Sequence, residues 1–179
     1  MAGQTARHVG VVVHRVLQRI TAEGMDAPGG VRIRSSSSTH RALLAALGVP
    51  QAPLTDAVER LEQAVLNTIG SERGRWLFAA GHSRARQEYA LTGYVDGRLV
   101  NIKIDRTFVD ADGVRWIIDY KTGTHEGGDI DKFLREEEQR YRPQLARYAA
   151  LMHTLESRPI RAALFYPLIT DGWREWPAD

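Results

Sequence analysis

The chain has no cysteine. That absence excludes disulfides, zinc–thiolate sites and iron–sulfur clusters. It also lacks any apolar run approaching the roughly 20 residues of a membrane-spanning helix. Arg7 and His8 interrupt the stretch where a signal peptide would carry its apolar core. No Gly-x-x-x-x-Gly-Lys-[Ser/Thr] phosphate loop is present, so an ATP-driven motor must reside elsewhere. Nor does charge of one sign dominate: 24 Lys and Arg against 22 Asp and Glu leave a net charge of +2. Such a balance permits binding to a polyanion through a local basic patch and does not by itself demonstrate it. A bacterial-type cytoplasmic location is the default expectation.

What is present suits one globular domain. The chain has 179 residues, 43% hydrophobic and 26% charged, enough for a substantial core. From about 4 to 23, Val9, Val12, Val13, Val16, Leu17 and Ile20 recur at helical spacing, and Pro28-Gly29-Gly30 ends the pattern. Two further helical patterns span 39–47 and 55–69, separated by Gly48-Val49-Pro50 and Pro53. From about 84 the period changes to two. Arg86–Thr92, Leu99–Val109 and Val114–Tyr120 read as an antiparallel meander, with Gly93 and Asp96-Gly97 at its first turn. A Gly-rich loop at Thr122–Gly128 precedes a long helix from Leu134 to Leu155. Strands at Ile160–Leu168 and Trp173–Trp176 close the chain. The expected fold is α/β, a mixed central sheet flanked by helices. Residues 1–179 form a single domain in this reading, with 1–75 as a helical N-terminal part and 84–179 as the sheet-containing core.

The end of the third strand carries the chemistry. Asp119 and Lys121 lie two residues apart in Asp119-Tyr120-Lys121, so on an extended strand both point to one face. Their strand, Val114-Arg115-Trp116-Ile117-Ile118, is apolar enough to be buried, and buried charges must be stabilised. A divalent metal and a phosphate would do so. Asp110-Ala111-Asp112-Gly113 is a hairpin signal. With Ala111-Asp112-Gly113 as a three-residue loop, Asp110 pairs with Val114, and the register carried back sets Asp105 opposite Asp119. Their Cβ atoms would then be roughly 4.5–5.5 Å apart. Two carboxylates that close repel unless one is protonated or a cation sits between them. A structural reading stays open beside this one: Asp105 pairs with Arg106 or Lys103, and Asp119 with Lys121, as ordinary ion pairs.

Four segments in order resemble the PD-(D/E)XK nuclease superfamily, and more narrowly its RecB-like branch, the nuclease domains of exonuclease V-type helicase-nucleases. Gly10-Val11-Val12-Val13-His14-Arg15-Val16-Leu17 is similar to the branch's histidine helix. Ile104-Asp105-Arg106 resembles its first acidic motif, and Ile117-Ile118-Asp119-Tyr120-Lys121-Thr122 its second. Arg142-Pro143-Gln144-Leu145-Ala146-Arg147-Tyr148 looks like its Gln-x-x-x-Tyr helix. The Pro that names the superfamily is absent before Asp105, as is common in this branch. Without cysteines, the chain is similar to the subgroup that has no iron–sulfur staple.

The resemblance implies a restriction-endonuclease-like core and metal-dependent phosphodiester hydrolysis, with Mg²⁺ or Mn²⁺ as cofactor. Asp105 and Asp119 would be oxygen ligands, the Tyr120 backbone carbonyl a third, and Lys121 would orient water or stabilise developing charge. It also implies His14 as a metal ligand; Gly10, one turn earlier on the same face, would permit close backbone approach. Glu88, on the preceding strand, is a candidate further acidic group, against a solvated strand position. Gln144 and Tyr148 share a helix face and would shape the site or touch DNA, against ordinary packing beside Leu145 and Met152. The other histidines, His125 included, read as surface residues. Trp76, Trp116, Trp173 and Trp176 read as core or sheet-edge aromatics. Arg84, Arg86, Arg106, Arg135, Arg140 and Arg142 would contact phosphates if they share a rim, or belong to a mixed solvated surface.

By the same resemblance the expected partners are DNA, as single strands or ends, and a helicase motor in cis or in trans, with no membrane. The chain opens almost at the histidine helix, which suggests a stand-alone nuclease or the C-terminal fragment of a helicase-nuclease. Exonuclease-type end processing in double-strand-break repair is the implied role. Two other readings stay open: a non-catalytic DNA- or helicase-binding module with a degenerate nuclease fold, and a non-nuclease hydrolase with a carboxylate metal site.

Overall fold

The computed structural model of the chain describes residues 2–23, 37–125 and 127–178. The expected helix stop at Pro28-Gly29-Gly30 lies outside the described residues. The Cα framework divides into two compact units. One comprises Met1–Ala80, Lys121–Thr124 and Tyr166–Asp171; the other comprises Gly81–Tyr120, His125–Phe165 and Gly172–Asp179.

The first unit is helical: α1 (Ala2–Glu23), α2 (Ser37–Ala46), α3 (Gln51–Gly70) and α4 (Glu72–Leu77). Spacing explains the long ones. Val9, Val12, Val13 and Leu17 form one stripe on α1 and are all buried. The stripe packs against α3, whose own buried row is Leu54, Val58, Leu61 and Val65. Each fully buried aliphatic side chain of this kind contributes roughly 1.5–3 kcal/mol. The short helix α4 was not legible as a separate element. Ser71 starts it by accepting a hydrogen bond from the Gly74 amide at 3.0 Å. His40 on α2 is buried, not at the surface as expected; its Nδ1 lies 3.7 Å from a Glu62 carboxylate oxygen. Burial holds the His40 pKa below the usual histidine range despite that carboxylate.

The second unit holds a five-stranded sheet in the order β1 (Ser83–Val95), β2 (Arg98–Val109), β3 (Arg115–Tyr120), β4 (Ile160–Phe165) and β5 (Trp173–Pro177). β1, β2 and β3 form the expected antiparallel meander, and β4 pairs with β5 antiparallel. β3 and β4 are parallel. A parallel pair needs a crossover, and α5 (Ile130–His153) provides it. The mixed sheet, with helices before and after it, is the expected α/β, restriction-endonuclease-like architecture.

Several boundaries differ from the sequence reading for physical reasons. Gly93 lies inside β1 rather than in the turn, because Leu151 of α5 packs on it: a Cβ there would stand 2.6 Å from the leucine Cδ1. The turn is Asp96-Gly97 alone, with φ of 49° and 72°, the left-handed pair that a two-residue hairpin turn requires. α5 starts at Ile130, not Leu134, because Asp129 caps it by accepting from the Lys132 amide at 2.8 Å. β4 stops at Phe165, not Leu168.

Candidate metal centre and active site

In the second unit the site begins with a hairpin. Asp110 organises the β2–β3 turn: its Oδ1 accepts from the amides of Asp112 and Val114, both at 3.0 Å, and its Oδ2 accepts from the Trp116 indole at 2.7 Å. Gly113 takes a φ of 79° in the third loop position. The three-residue loop therefore forms as expected, and it fixes the register. Arg106 pairs with Ile118, Thr107 with Ile117, Phe108 with Trp116 and Val109 with Arg115. One further step along the same register is Asp105 opposite Asp119. At that step a side chain continues the pairing, since the Tyr120 amide donates to Asp105 Oδ2 at 2.7 Å. Asp105 is thereby pinned to the end of β3, beside Asp119.

Asp119 is 7% exposed, on a strand whose six residues are all buried. It follows Ile118 in the chain and pairs with Leu164 across the parallel ladder. A carboxylate so placed is costly in apolar surroundings without compensation. Tyr120 is buried as well. Burial raises its phenol far above the ordinary tyrosine range, the nearby Arg106 charge opposes this, and the Asp105 charge adds to it. The Tyr120 hydroxyl therefore stays neutral.

Glu88 on β1 is the third acid. The ladder places Gln87 opposite Arg106 and Tyr89 opposite Ile104, so Glu88 falls at the level of Asp105. Carboxylate oxygens of these two residues lie within 4.8 Å of one another. Glu88 has a φ of 49°, left-handed backbone inside a strand, which a non-glycine residue adopts at a local energetic cost. Lys103, which sequence reasoning offered as a partner for Asp105, contacts the Glu88 carboxylate. The register thus puts acids of three adjacent strands at one level, Glu88, Asp105 and Asp119, of which the Glu88 and Asp105 carboxylates lie within 4.8 Å of each other. Oxygen donors in that number suit a hard divalent cation such as Mg²⁺ or Mn²⁺.

In the first unit, Gly10 on α1 lies against Thr122, where a Cβ would come within 2.6 Å of the threonine Oγ1. The expected close approach is present. His14, half-buried, lies one turn further along the same face of α1. Lys121 directly follows the last residue of β3 and is half-buried too.

Two expectations change. Arg106 cannot belong to a phosphate-binding rim. It is 1% exposed, and its guanidinium lies 5.3 Å from the Phe108 ring. Strand alternation carries it to the face opposite Asp105, a signal that was already in the sequence. Arg142 lies over the Trp176 ring and contacts Glu138, and its side chain remains exposed. His125 stacks on Phe133 with ring centroids 4.6 Å apart, so it is a packing residue rather than a free surface one. Trp116 and Trp176 are core residues, as expected. On α5, the Gln144 side-chain amide donates to the Tyr148 hydroxyl at 2.7 Å, so the two do share a face.

Sequence reasoning missed the ion cluster at the end of α5. Arg115, buried on β3, clasps Glu156 through Nε at 2.5 Å and Nη2 at 3.1 Å. Arg115 Nη1 also donates to Thr107 Oγ1 at 3.3 Å. The hydrogen bond from Arg115 holds the Glu156 carboxyl below the usual range; burial opposes this, and the Arg115, Arg158 and Arg84 charges reinforce it.

No curated protein matches the chain. Among solved structures it is similar to one titled "Crystal structure of SSO0001", at 18% identity and a TM-score of 0.31. The match covers 84% of this chain and 62% of that one. The chain therefore spans less than two thirds of the length of that relative. The profile of the PD-(D/E)XK nuclease superfamily, by contrast, matches residues 2–174, nearly the whole sequence. This chain belongs to the PD-(D/E)XK nuclease superfamily.

Proposed function

We propose that the chain is a metal-dependent deoxyribonuclease of the RecB-like type, acting on DNA ends as an exonuclease beside or within a helicase. The observation that carries the reading is the close Glu88–Asp105 carboxylate pair, with Asp105 held by the Tyr120 amide next to Asp119 of the Asp-x-Lys motif. Asp105 and Asp119 would hold a Mg²⁺ or Mn²⁺ ion, with the Tyr120 carbonyl and His14 as further ligands and Glu88 behind them. Such an ion acidifies water and polarises a phosphoryl oxygen.

The chain's own residues do the rest. The Tyr120 amide fixes the direction of the Asp105 carboxylate, so that ligand needs no reorientation during the reaction. The Lys121 ammonium donates a hydrogen bond to the attacking water or to a non-bridging phosphate oxygen. Water oxygen bonds to phosphorus and gives up a proton to solvent, the bond to the leaving oxygen breaks, and that oxygen takes up a proton from solvent in turn. Gln144 and Tyr148, locked together on α5, shape the approach of the strand. The cytoplasm, where DNA ends and a motor are both present in bacterial cells, is the proposed setting.

Linear and covalently closed circular DNA, single- and double-stranded, test this reading with Mn²⁺ and then Mg²⁺. Digestion of linear DNA that spares circles supports the exonuclease. Cutting of circles makes it an endonuclease. Binding without cleavage under either metal favours a degenerate binding module, and neither binding nor cleavage favours another hydrolase. A weak activity that rises when a helicase delivers the strand is the expected outcome.

A further inference from the structure

We propose that the open face of the β1–β2 hairpin is the track along which a single-stranded nucleic acid reaches the Glu88–Asp105 carboxylates, with Tyr94 at its tip stacking on a base. The inference rests on the nuclease reading of that carboxylate pair and adds the surface that feeds it.

The hairpin outruns the rest of the sheet. β2 pairs with β3 only from Arg106 onward, whereas its pairing with β1 continues back to Arg98. The two faces of this extension differ. One is covered, since Leu151 of α5 packs on Gly93, and Ile104 on the same side is 1% exposed. The other is open along its whole length. Tyr94 and Leu99 face each other across the ladder near the turn, 68% and 59% exposed. Next come Thr92 and Asn101, joined side chain to side chain at 2.6 Å, then Ala90 and Lys103, all exposed. The next level is Glu88 and Asp105. From Tyr94 to Glu88 is six strand positions, roughly 20 Å at about 3.3 Å each.

Tyr94 and Leu99 form an exposed aromatic–aliphatic pair. Its chemistry selects the occupant. A tyrosine ring beside a leucine offers a flat surface to any unstacked base, and base–aromatic stacking is indifferent to sequence. Below it the neutral hydrogen-bonding pair and Lys103 suit a sugar–phosphate backbone. Between the tip pair and Glu88–Asp105, Lys103 is the one charged side chain on this face, a cation that also contacts the Glu88 carboxylate. Past the turn, where Asp96 is followed by Arg98, a polyanionic strand therefore meets no like charge before the site. Continuity with the carboxylates fixes the direction of the track.

The test uses the full chain with EDTA, so that binding is read without cleavage, and fluorescein-labelled oligothymidylate as the probe. Tyr94→Ala should weaken binding roughly fivefold or more, and Tyr94→Phe should restore it. Lys103→Met should lower the salt dependence of log K by about one. A dinucleotide, too short to span the track, should not register Tyr94→Ala. The proposal is overturned if Tyr94→Ala binds the long probe like the unmodified protein, or loses the dinucleotide equally. Failure of the nuclease reading looks different. In that case binding still depends on Tyr94, but neither Mn²⁺ nor Mg²⁺ brings cleavage.

Discussion

Each acid at the sheet edge answers to a different constraint. Asp105 is oriented by a backbone amide, Glu88 is partly neutralised by Lys103, and Asp119 is buried on a strand that is buried throughout. Their responses to a divalent cation should therefore separate. Mn²⁺ should raise the melting temperature of the unmodified protein by binding the folded state. Asp105→Asn and Asp119→Asn should each abolish most of that shift, and Glu88→Gln should reduce it; differential scanning fluorimetry checks all three. Cleavage should fall by roughly 100-fold or more in the two aspartate variants and in Lys121→Met, the scale of losing a group aimed at transition-state charge. Glu156 makes a stability prediction. Its folded pKa lies below the ordinary value of 4.5, so its contribution is present above that value and is lost as pH falls through the depressed one. Glu156→Gln should cost about 3 kcal/mol at neutral pH, because Arg115 is left buried without its carboxylate. The same variant should flatten the acid limb of a stability-against-pH curve, measured by urea unfolding. An unchanged acid limb would show that the clasp contributes nothing.

Among the elements, two glycines mark where packing leaves no room. Gly10 of α1 abuts Thr122, and Gly93 of β1 abuts Leu151. Gly10→Val and Gly93→Val should each destabilise by roughly 1–3 kcal/mol through overpacking. Gly3, on the same helix as Gly10 with nothing near it, should tolerate Ala or gain up to about 1 kcal/mol from helix propensity. Thermal melts of the three variants decide this. These contacts also show what the sequence made legible. The Gly10 approach and the register from Asp110 to Asp105 were readable, because each follows from local spacing and turn chemistry. The placement of Gly93 was not, since its reason is a leucine nearly sixty positions away. For the same kind of reason the start of α5 was misjudged: the Asp129 cap extends the helix before its apolar pattern begins. The left-handed φ at Glu88 had no sequence signal at all, since nothing in Gln87-Glu88-Tyr89 favours it.

At the level of the whole chain, a net charge of +2 gives no strong general attraction to DNA. Affinity should come from local contacts and fall steeply as salt rises. The superfamily match supplies the catalytic class, and the Glu88–Asp105 carboxylate pair on β1 and β2 is the feature on which the proposed activity rests. Topology that places β4 parallel to β3 was only partly readable, because a long intervening helix signals a crossover without naming the strand beside which it returns. The central claim is that Asp105 and Asp119 share a catalytic cation. Its most direct test is a Mn²⁺ titration of linear single-stranded DNA cleavage, run in parallel on the unmodified protein and on Asp119→Asn. The account predicts saturable, chelator-reversible cleavage in the first and almost none in the second at any Mn²⁺ concentration, with DNA binding retained. Equal cleavage by the two proteins, or cleavage that persists in excess EDTA, would contradict it.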